Sequence, residues 1–173
     1  MLASSTLVSH PTLKRRSPYT LTYPHLDRSS LFHPALSGDL TCMSCMFRAT
    51  GFDFAVDEFL QQSTLIPDSV WHRGEHRLAK RVHEGSGFSM VASQADMSNP
   101  PQQVEDAIAF LKANQVELER LQKFSGVERI CLDFGIEDRD VAVQCDYFPP
   151  ELLRLAGNLN IGIEVTRYLQ ADE

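Results

Sequence analysis

Short apolar runs with a period of two constrain the fold of this chain most strongly. Apolar side chains alternate with polar ones in several segments, for example at Phe88, Met90 and Ala92. Such alternation gives a strand one buried face and one solvated face, which is typical of antiparallel or mixed sheets. Because only one side of such a sheet needs covering, the pattern predicts a two-layer α+β sandwich with helices on one face.

The same reading places the individual elements along the chain. Strands are predicted at 46–51, 70–71, 88–92, 130–134, 141–147 and 161–165, and helices at 55–62, 100–124 and 150–156. The long helix has the clearest start, because Asn99 supplies a cap, Pro100 suits the first turn and Gln102 completes a capping box. The polar link 135–140 predicts a hairpin between the fourth and fifth strands.

An internal similarity joins two distant parts of the chain. The segments 53–60 and 146–153 share Asp, an aromatic residue, Glu and Leu at matching offsets, and each lies between two predicted strands. We interpret this as a pseudo-repeat of two strand-helix-strand halves joined by the long helix.

Composition changes sharply near Met46. Residues 1–45 are rich in Ser, Thr, Pro and His without sustained periodicity, so they cannot bury enough apolar surface to offset the entropy of ordering. We therefore predict a disordered tail at 1–45, or a start codon placed too far upstream with translation beginning at Met43 or Met46. Residues 46–173 are predicted to form a single α+β domain, since 43% apolar content suffices for one core.

The charge of the chain restricts its partners. The net charge is −7, and because residues 1–45 hold four basic and two acidic residues, or +2, the domain carries −9. An acidic globule repels the phosphate backbone, so no nucleic acid is expected, whereas a basic protein partner would be attracted. No apolar run approaches membrane-spanning length and no signal peptide is recognisable, so we expect no membrane partner and a cytoplasmic protein. The oligomeric state stays open.

The motifs of common catalytic and metal chemistry are incomplete. Cys42 and Cys45 form a CxxC without a second ligand pair, and the glycines at 85 and 87 lack the lysine of a phosphate-binding loop. Asp133 and Asp146 would form an acid/base pair only if neighbouring strands joined them, and isolated carboxylates are usually solvated. We therefore predict no catalytic residue, no metal site and no cofactor.

The stretch VWHRGEH, residues 70–76, holds the only tryptophan and two histidines. His72 to His76 matches the H-x-x-E-H motif of inverted zinc peptidases, but Gly74 and the preceding strand argue against the helix that such a site needs. The stretch is then a structural turn in which Trp71 anchors the sheet. Alternatively Trp71, Arg73, Gly74 and Glu75 form a ligand or partner site, with Arg73 binding an anionic group and Trp71 stacking on it.

Several of these residues also resemble a known family. The resemblance rests on Phe47-Arg48 with Gly51 and Phe54, on residues 70–75, on 148–155 and on the closing 161–165. Residues 46–169 thereby resemble a widespread, mostly bacterial domain-of-unknown-function family, number 4279. Its sharpest motif is a tryptophan followed by a basic residue, glycine and an acid, which Trp71, Arg73, Gly74 and Glu75 match. The resemblance implies an α+β fold without an assigned activity, and some relatives resemble immunity-type antagonists of bacterial toxins.

Two functions follow as hypotheses. The first is a small acidic, non-enzymatic protein-interaction module of the immunity type that binds a basic protein. The second is a small-ligand-binding protein or enzyme with its site around Trp71, Arg73 and Glu75.

Overall fold

The computed structural model describes residues 44–77 and 81–169. The predicted tail, apart from Ser44 and Cys45, lies outside the described residues. In chain order the elements are β1 (Cys45–Gly51), α1 (Val56–Gln61), β2 (Ser69–Trp71), β3 (His76–Arg77), β4 (Arg81–Val82), β5 (Ser86–Ser93), α2 (Pro100–Ala113), α3 (Gln115–Leu121), β6 (Arg129–Glu137), α4 (Pro150–Asn158) and β7 (Gly162–Tyr168).

Five of the strands form one mixed sheet in the order β2-β5-β1-β6-β7. β1 runs antiparallel to both β5 and β6, β2 runs antiparallel to β5, and β6 and β7 are parallel. The short strands β3 and β4 pair with each other separately from this sheet. They lie between the predicted strands at 70–71 and 88–92, where the sequence analysis assigned no helix or strand. No helix in the described ranges has the length and apolar content needed to cross a membrane.

One face of the sheet carries the core. Phe47 of β1 and Leu132 and Phe134 of β6 are fully buried there, and buried side chains from all four helices join the same cluster. Burying a phenylalanine side chain stabilises a fold by about 2–3 kcal/mol. The alternate residues, such as Arg48 and Asp133, lie on the opposite face. The predicted two-layer α+β sandwich with helices on one face is thus confirmed.

The predicted helix at 100–124 begins at Pro100 as expected but is wrong in its length. The predicted capping box is also wrong, because the Gln102 side chain donates to Asp106 Oδ1 and the Asn99 N–H donates to the Asp96 carbonyl oxygen. Asn99 Oδ1 accepts a hydrogen bond from the backbone N–H of Gln102, and α2 starts at Pro100. α2 ends at Ala113, however, and a separate α3 follows Asn114. The Asn114 side chain donates to the Phe110 carbonyl oxygen at 2.9 Å. The backbone N–H of Asn114 donates to the same oxygen at 3.1 Å, so backbone and side chain together cap the end of α2.

The strand predicted at 141–147 is also wrong. β6 runs on to Glu137, so the predicted hairpin link at 135–140 is wrong as well, and the chain from Val143 to Pro149 has no helix or strand. β6 pairs instead with β7, which it reaches through α4. The alternation of residues 141–147 is real, but no neighbouring strand in the described residues pairs with them.

The two similar segments occupy comparable but not identical places. Residues 53–60 lead from β1 into α1, and residues 146–153 lead into α4 after β6. β6 and β7 are adjacent and parallel, whereas β1 and β2 are separated by β5, to which both run antiparallel.

Candidate functional site

The predicted site at Trp71–Glu75, here called the Trp71 turn, follows β2 directly. The backbone N–H of Glu75 donates to the His72 carbonyl oxygen at 3.1 Å, which closes a four-residue β-turn. Gly74, the third residue of this turn, has a φ of +85°. A positive φ at that position is the mark of a type II turn and explains the glycine. His72 thus lies in a turn and His76 in a strand. A zinc-peptidase motif would need both histidines on one helix.

His72, the first residue of the turn, makes most of its side-chain contacts. Its Nδ1 lies 2.9 Å from Glu75 Oε1 and its Nε2 lies 2.8 Å from Asp57 Oδ2 in α1, while its backbone N–H donates to Glu75 Oε2 at 2.7 Å. Hydrogen bonds to Asp57 and then to Glu75 raise the pKa of His72 above its ordinary value. The hydrogen bonds from the backbone and side chain of His72 lower the pKa of Glu75. The trio therefore joins the turn to α1, and the two carboxylates favour the protonated form of the imidazole.

Trp71 lies on the helix-free face of the sheet. A side chain on Gly87 of β5 would bring its Cβ within 2.7 Å of Trp71 Cζ2, so glycine makes room for the indole. The indole also stacks on the His83 ring, with centroids 5.5 Å apart and planes inclined by 22°. Trp71 therefore packs across a sheet edge, which is an architectural use of the ring.

Arg73 binds the loop between β1 and α1. Its guanidinium carbon lies 4.1 Å from the centroid of the Phe52 ring, and its Nη1 lies 3.5 Å from Asp53 Oδ1. The structure thus brings the four predicted residues together, but Trp71, Arg73 and Glu75 all contact groups of the protein itself. A ligand-binding role for them stays a prediction.

The charged side chains on the helix-free face of the sheet are also paired with groups of the protein itself. Arg48 Nη1 lies 2.8 Å from Asp133 Oδ2, and Thr166 Oγ1 donates to Asp133 Oδ1 at 2.7 Å. Arg129 and Glu164 form a second ion pair beside Arg48, around a cavity of about 100 Å³. Because Asp146 pairs with Arg139 instead, the structure does not bring the carboxylates of Asp133 and Asp146 together as an acid/base pair.

The cysteines described are free thiols. Burial raises the pKa of both Cys45 and Cys131, so each thiol is held in its protonated, unreactive form. Cys42, the other half of the CxxC, lies outside the described residues.

Residues 141–147, which we call the 141–147 segment, form a surface that the sequence did not assign to a site. The side chains of Val141, Val143 and Tyr147 are 55%, 81% and 73% exposed, whereas Gln144 and Asp146 between them are half-buried. From Val143 to Tyr147 burial alternates with a period of two, as in an extended chain, whereas the chain bends at residues 140–142. In this segment, however, the apolar side chains face solvent and the polar ones face the domain.

The inward side chains hold the 141–147 segment in place. Gln144 Oε1 accepts a hydrogen bond from the backbone N–H of Arg139 at 2.9 Å, and Gln144 Nε2 donates to the Glu137 carbonyl oxygen at 3.2 Å. Asp146 Oδ1 accepts from Arg139 Nη2 at 2.6 Å. Phe148, directly after the segment, packs edge-on against Phe134 of the core, with ring centroids 5.1 Å apart.

A groove of about 560 Å³ lies between this segment and the first turns of α2. Pro100, Val104 and Ile108 of α2 line one wall, and Tyr147 lines the other. Glu105 and the ion pair of Asp146 with Arg139 also line the groove. The groove is in the size range of ligand and peptide sites. The only sequence signal for it is the alternation of residues 141–147, which equally fits a paired strand.

The chain belongs to a family described as a domain of unknown function (DUF4279), whose model matches residues 41–170, three quarters of the chain. No curated protein and no solved structure shows a significant match to it.

Proposed function

We propose that this domain is a non-enzymatic protein-interaction module that binds a basic protein through the 141–147 segment and the adjoining groove. The outward-facing apolar side chains of that segment carry the proposal. Covering Val143 and Tyr147 with a partner would contribute about 3 kcal/mol from apolar burial. Exposed apolar residues grouped beside a groove and rimmed by charge are typical of protein interaction sites.

The charge around the surface favours a basic partner. Residues 137–146 contain four acidic residues and one basic residue. Glu137, Asp140 and the facing Glu105 of α2 make no ion pair among the described residues. A basic partner would be steered to this surface and would neutralise it. Antagonism of a basic toxin, as in immunity proteins, is the specific form that the resemblance suggests.

The surroundings of the Trp71 turn make the small-ligand alternative the weaker proposal. Arg73 would have to leave Phe52 and Asp53 to bind an anion, and Glu75 would have to release His72. The free thiols Cys45, Cys131 and Cys145 suit a reducing compartment, so we place the interaction in the bacterial cytoplasm.

Affinity capture with matched variants tests the proposed function. The full chain and its Val143→Asp and Val116→Asp variants serve as baits, since Val116 of α3 is 72% exposed and lies outside the proposed surface. We expect a basic protein to be retained at about 0.05 M salt by the full chain and by Val116→Asp, lost with Val143→Asp, and released at about 0.5 M salt. Capture that is the same with all three baits, or no specific capture at low salt, would contradict the proposal.

A further inference from the structure

We infer that the 141–147 segment is a template for strand pairing, along which the partner adds an extended segment with alternating apolar and cationic side chains. This inference rests on the proposed function and specifies how that surface is used. It assigns the recognition to main-chain hydrogen bonds, with the exposed side chains selecting the sequence of the partner.

The main chain of the segment is free to pair. Among residues 44–77 and 81–169, no backbone N–H or C=O group from Ala142 to Phe148 has a hydrogen-bond partner. A row of unpaired peptide groups in an extended chain is the bonding pattern of a sheet edge, which readily accepts another strand. The chain bends at residues 140–142, so the template runs from Val143 onward, and Val143 adds a β-branched side chain that strands favour.

The segment is already held in the shape that pairing requires. The side-chain contacts of Gln144, Asp146 and Phe148 fix it from the inside without using its own peptide groups. A partner therefore does not have to order this segment on binding, and that lowers the entropic cost of association.

The long edge strand of the main sheet is a less suitable template. The last strand, β7, carries Glu164 and Arg167, which are ion-paired with Arg129 and Asp138. Charged side chains on an edge strand disfavour added strands. The outward positions 141, 143 and 147 carry no charge and are apolar or aromatic.

The position of the charges selects the chemistry of the occupant. In an added strand, side chains on the outer face would contact Val143 and Tyr147, whereas those on the inner face would approach the groove and Glu105, which makes no ion pair among the described residues. The partner segment should therefore alternate apolar residues with Lys or Arg. A second copy of this chain would bring its own acidic residues to the same place, and like charges oppose that pairing.

The test uses a blocked peptide of about eight residues, an ordinary strand length, in which Val and Lys alternate. The matched probe replaces each Lys with Glu. Fluorescence anisotropy measures binding to the full chain, and hydrogen exchange measures protection of the amides from Ala142 to Phe148. We expect the Lys peptide to bind at least about tenfold more tightly than the Glu peptide and to protect these amides.

Two variants separate main-chain pairing from side-chain contact. Val143→Pro removes a backbone donor and should weaken binding about tenfold or more, whereas Val143→Ala keeps the donor and should weaken it only a few-fold. Circular dichroism of both variants checks that the fold is intact. Equal binding by Val143→Pro without amide protection, or no binding of the Lys peptide, would overturn the inference. If capture of a basic protein still depended on Val143 in either case, the proposed function would stand.

A dimer detected by sedimentation and abolished by Val143→Pro would overturn the assigned occupant, because it would make a second copy the partner.

Discussion

The Trp71 turn and the 141–147 segment use their side chains in opposite ways. In the turn, His72 has both ring nitrogens within hydrogen-bonding distance of carboxylates, and Arg73 contacts Phe52 and Asp53. In the segment, the polar side chains bind inward, while the peptide groups from Ala142 onward have no hydrogen-bond partner among the described residues and the valines and Tyr147 are exposed. The turn stabilises this domain, and the segment has bonding capacity left for another molecule.

This difference shows that a stretch rich in reactive residue types does not necessarily have groups available for binding another molecule. Tryptophan, histidine and arginine in one short stretch suggest a site, yet their bonds are made within the protein. The valines of the segment suggest only a strand, yet they are left uncovered. A proposed binding site is therefore better judged by which groups lack partners than by which residue types it contains.

The largest expected effect tests the close packing around Gly87, on which the Trp71 indole lies. Gly87→Ala would place a methyl group in a clash with the Ala49 carbonyl oxygen and 2.7 Å from Trp71 Cζ2. Because the carbonyl belongs to the backbone, we expect a loss of about 3 kcal/mol in the free energy of unfolding, measured by urea denaturation. Gly157→Ala in α4 is the control, since nothing lies within 4 Å and alanine should stabilise the helix by about 0.5–1 kcal/mol. A similar outcome for both substitutions would show that neither the Ala49 carbonyl nor the indole restricts Gly87.

The second prediction compares the two aromatic residues directly. Trp71→Ala removes the ring packed on Gly87 and His83, so we expect a loss of about 2 kcal/mol in the free energy of unfolding. Tyr147→Ala removes a ring that is 73% exposed and should cost less than about 0.5 kcal/mol. Denaturation of both variants under one condition gives the comparison. If Tyr147→Ala were as destabilising as Trp71→Ala, the segment would be part of the core architecture and not a free surface.

The third prediction isolates backbone strain in the Trp71 turn. Gly74 has a φ of +85° and a Cβ placed there would meet nothing within 4 Å, so Gly74→Ala introduces strain without a clash. We expect a loss of about 1 kcal/mol. Gly74→Asn should cost less, because asparagine tolerates positive φ better than alanine. Equal effects of the two substitutions on the midpoint of urea denaturation would count against a type II turn.

The local part of the fold follows from the sequence. Strand periodicity places β1, β5, β6 and β7 within a few residues, and Asn99 with Pro100 marks the start of α2. A turn can be predicted at Gly74, because glycine is favoured in the few backbone conformations that other residues resist. These features depend on residues that are neighbours in the chain.

Features that depend on distant neighbours are not readable in this way. Asp57 meets His72 across 15 positions, and the same alternation describes both β6 and the unpaired 141–147 segment. A pattern of period two specifies an extended chain but not whether another strand lies beside it. The break at Asn114 was missed because apolar spacing continues through it, and the capping hydrogen bond of the Asn114 side chain has no periodic signal in the sequence.

The smallest effect is the pH dependence of the His72 contacts. The pKa of folded His72 is raised above 6.5, so its stabilising contribution is complete below pH 6.5 and is lost as the pH rises through the raised value. The pKa of folded Glu75 is lowered below 4.5, so its contribution is present above pH 4.5 and is lost as the pH falls through the lowered value. The difference in unfolding free energy between the full chain and His72→Gln should therefore be largest between pH 4.5 and 6.5.

NMR titration measures the same effect directly, since Asp57→Asn removes a hydrogen-bonding carboxylate and should lower the pKa of His72. An unchanged His72 titration in Asp57→Asn would mean that the contact between the turn and α1 does not stabilise the imidazolium. The side chains of the Trp71 turn would then have fewer partners within the protein than the contrast with the 141–147 segment assumes.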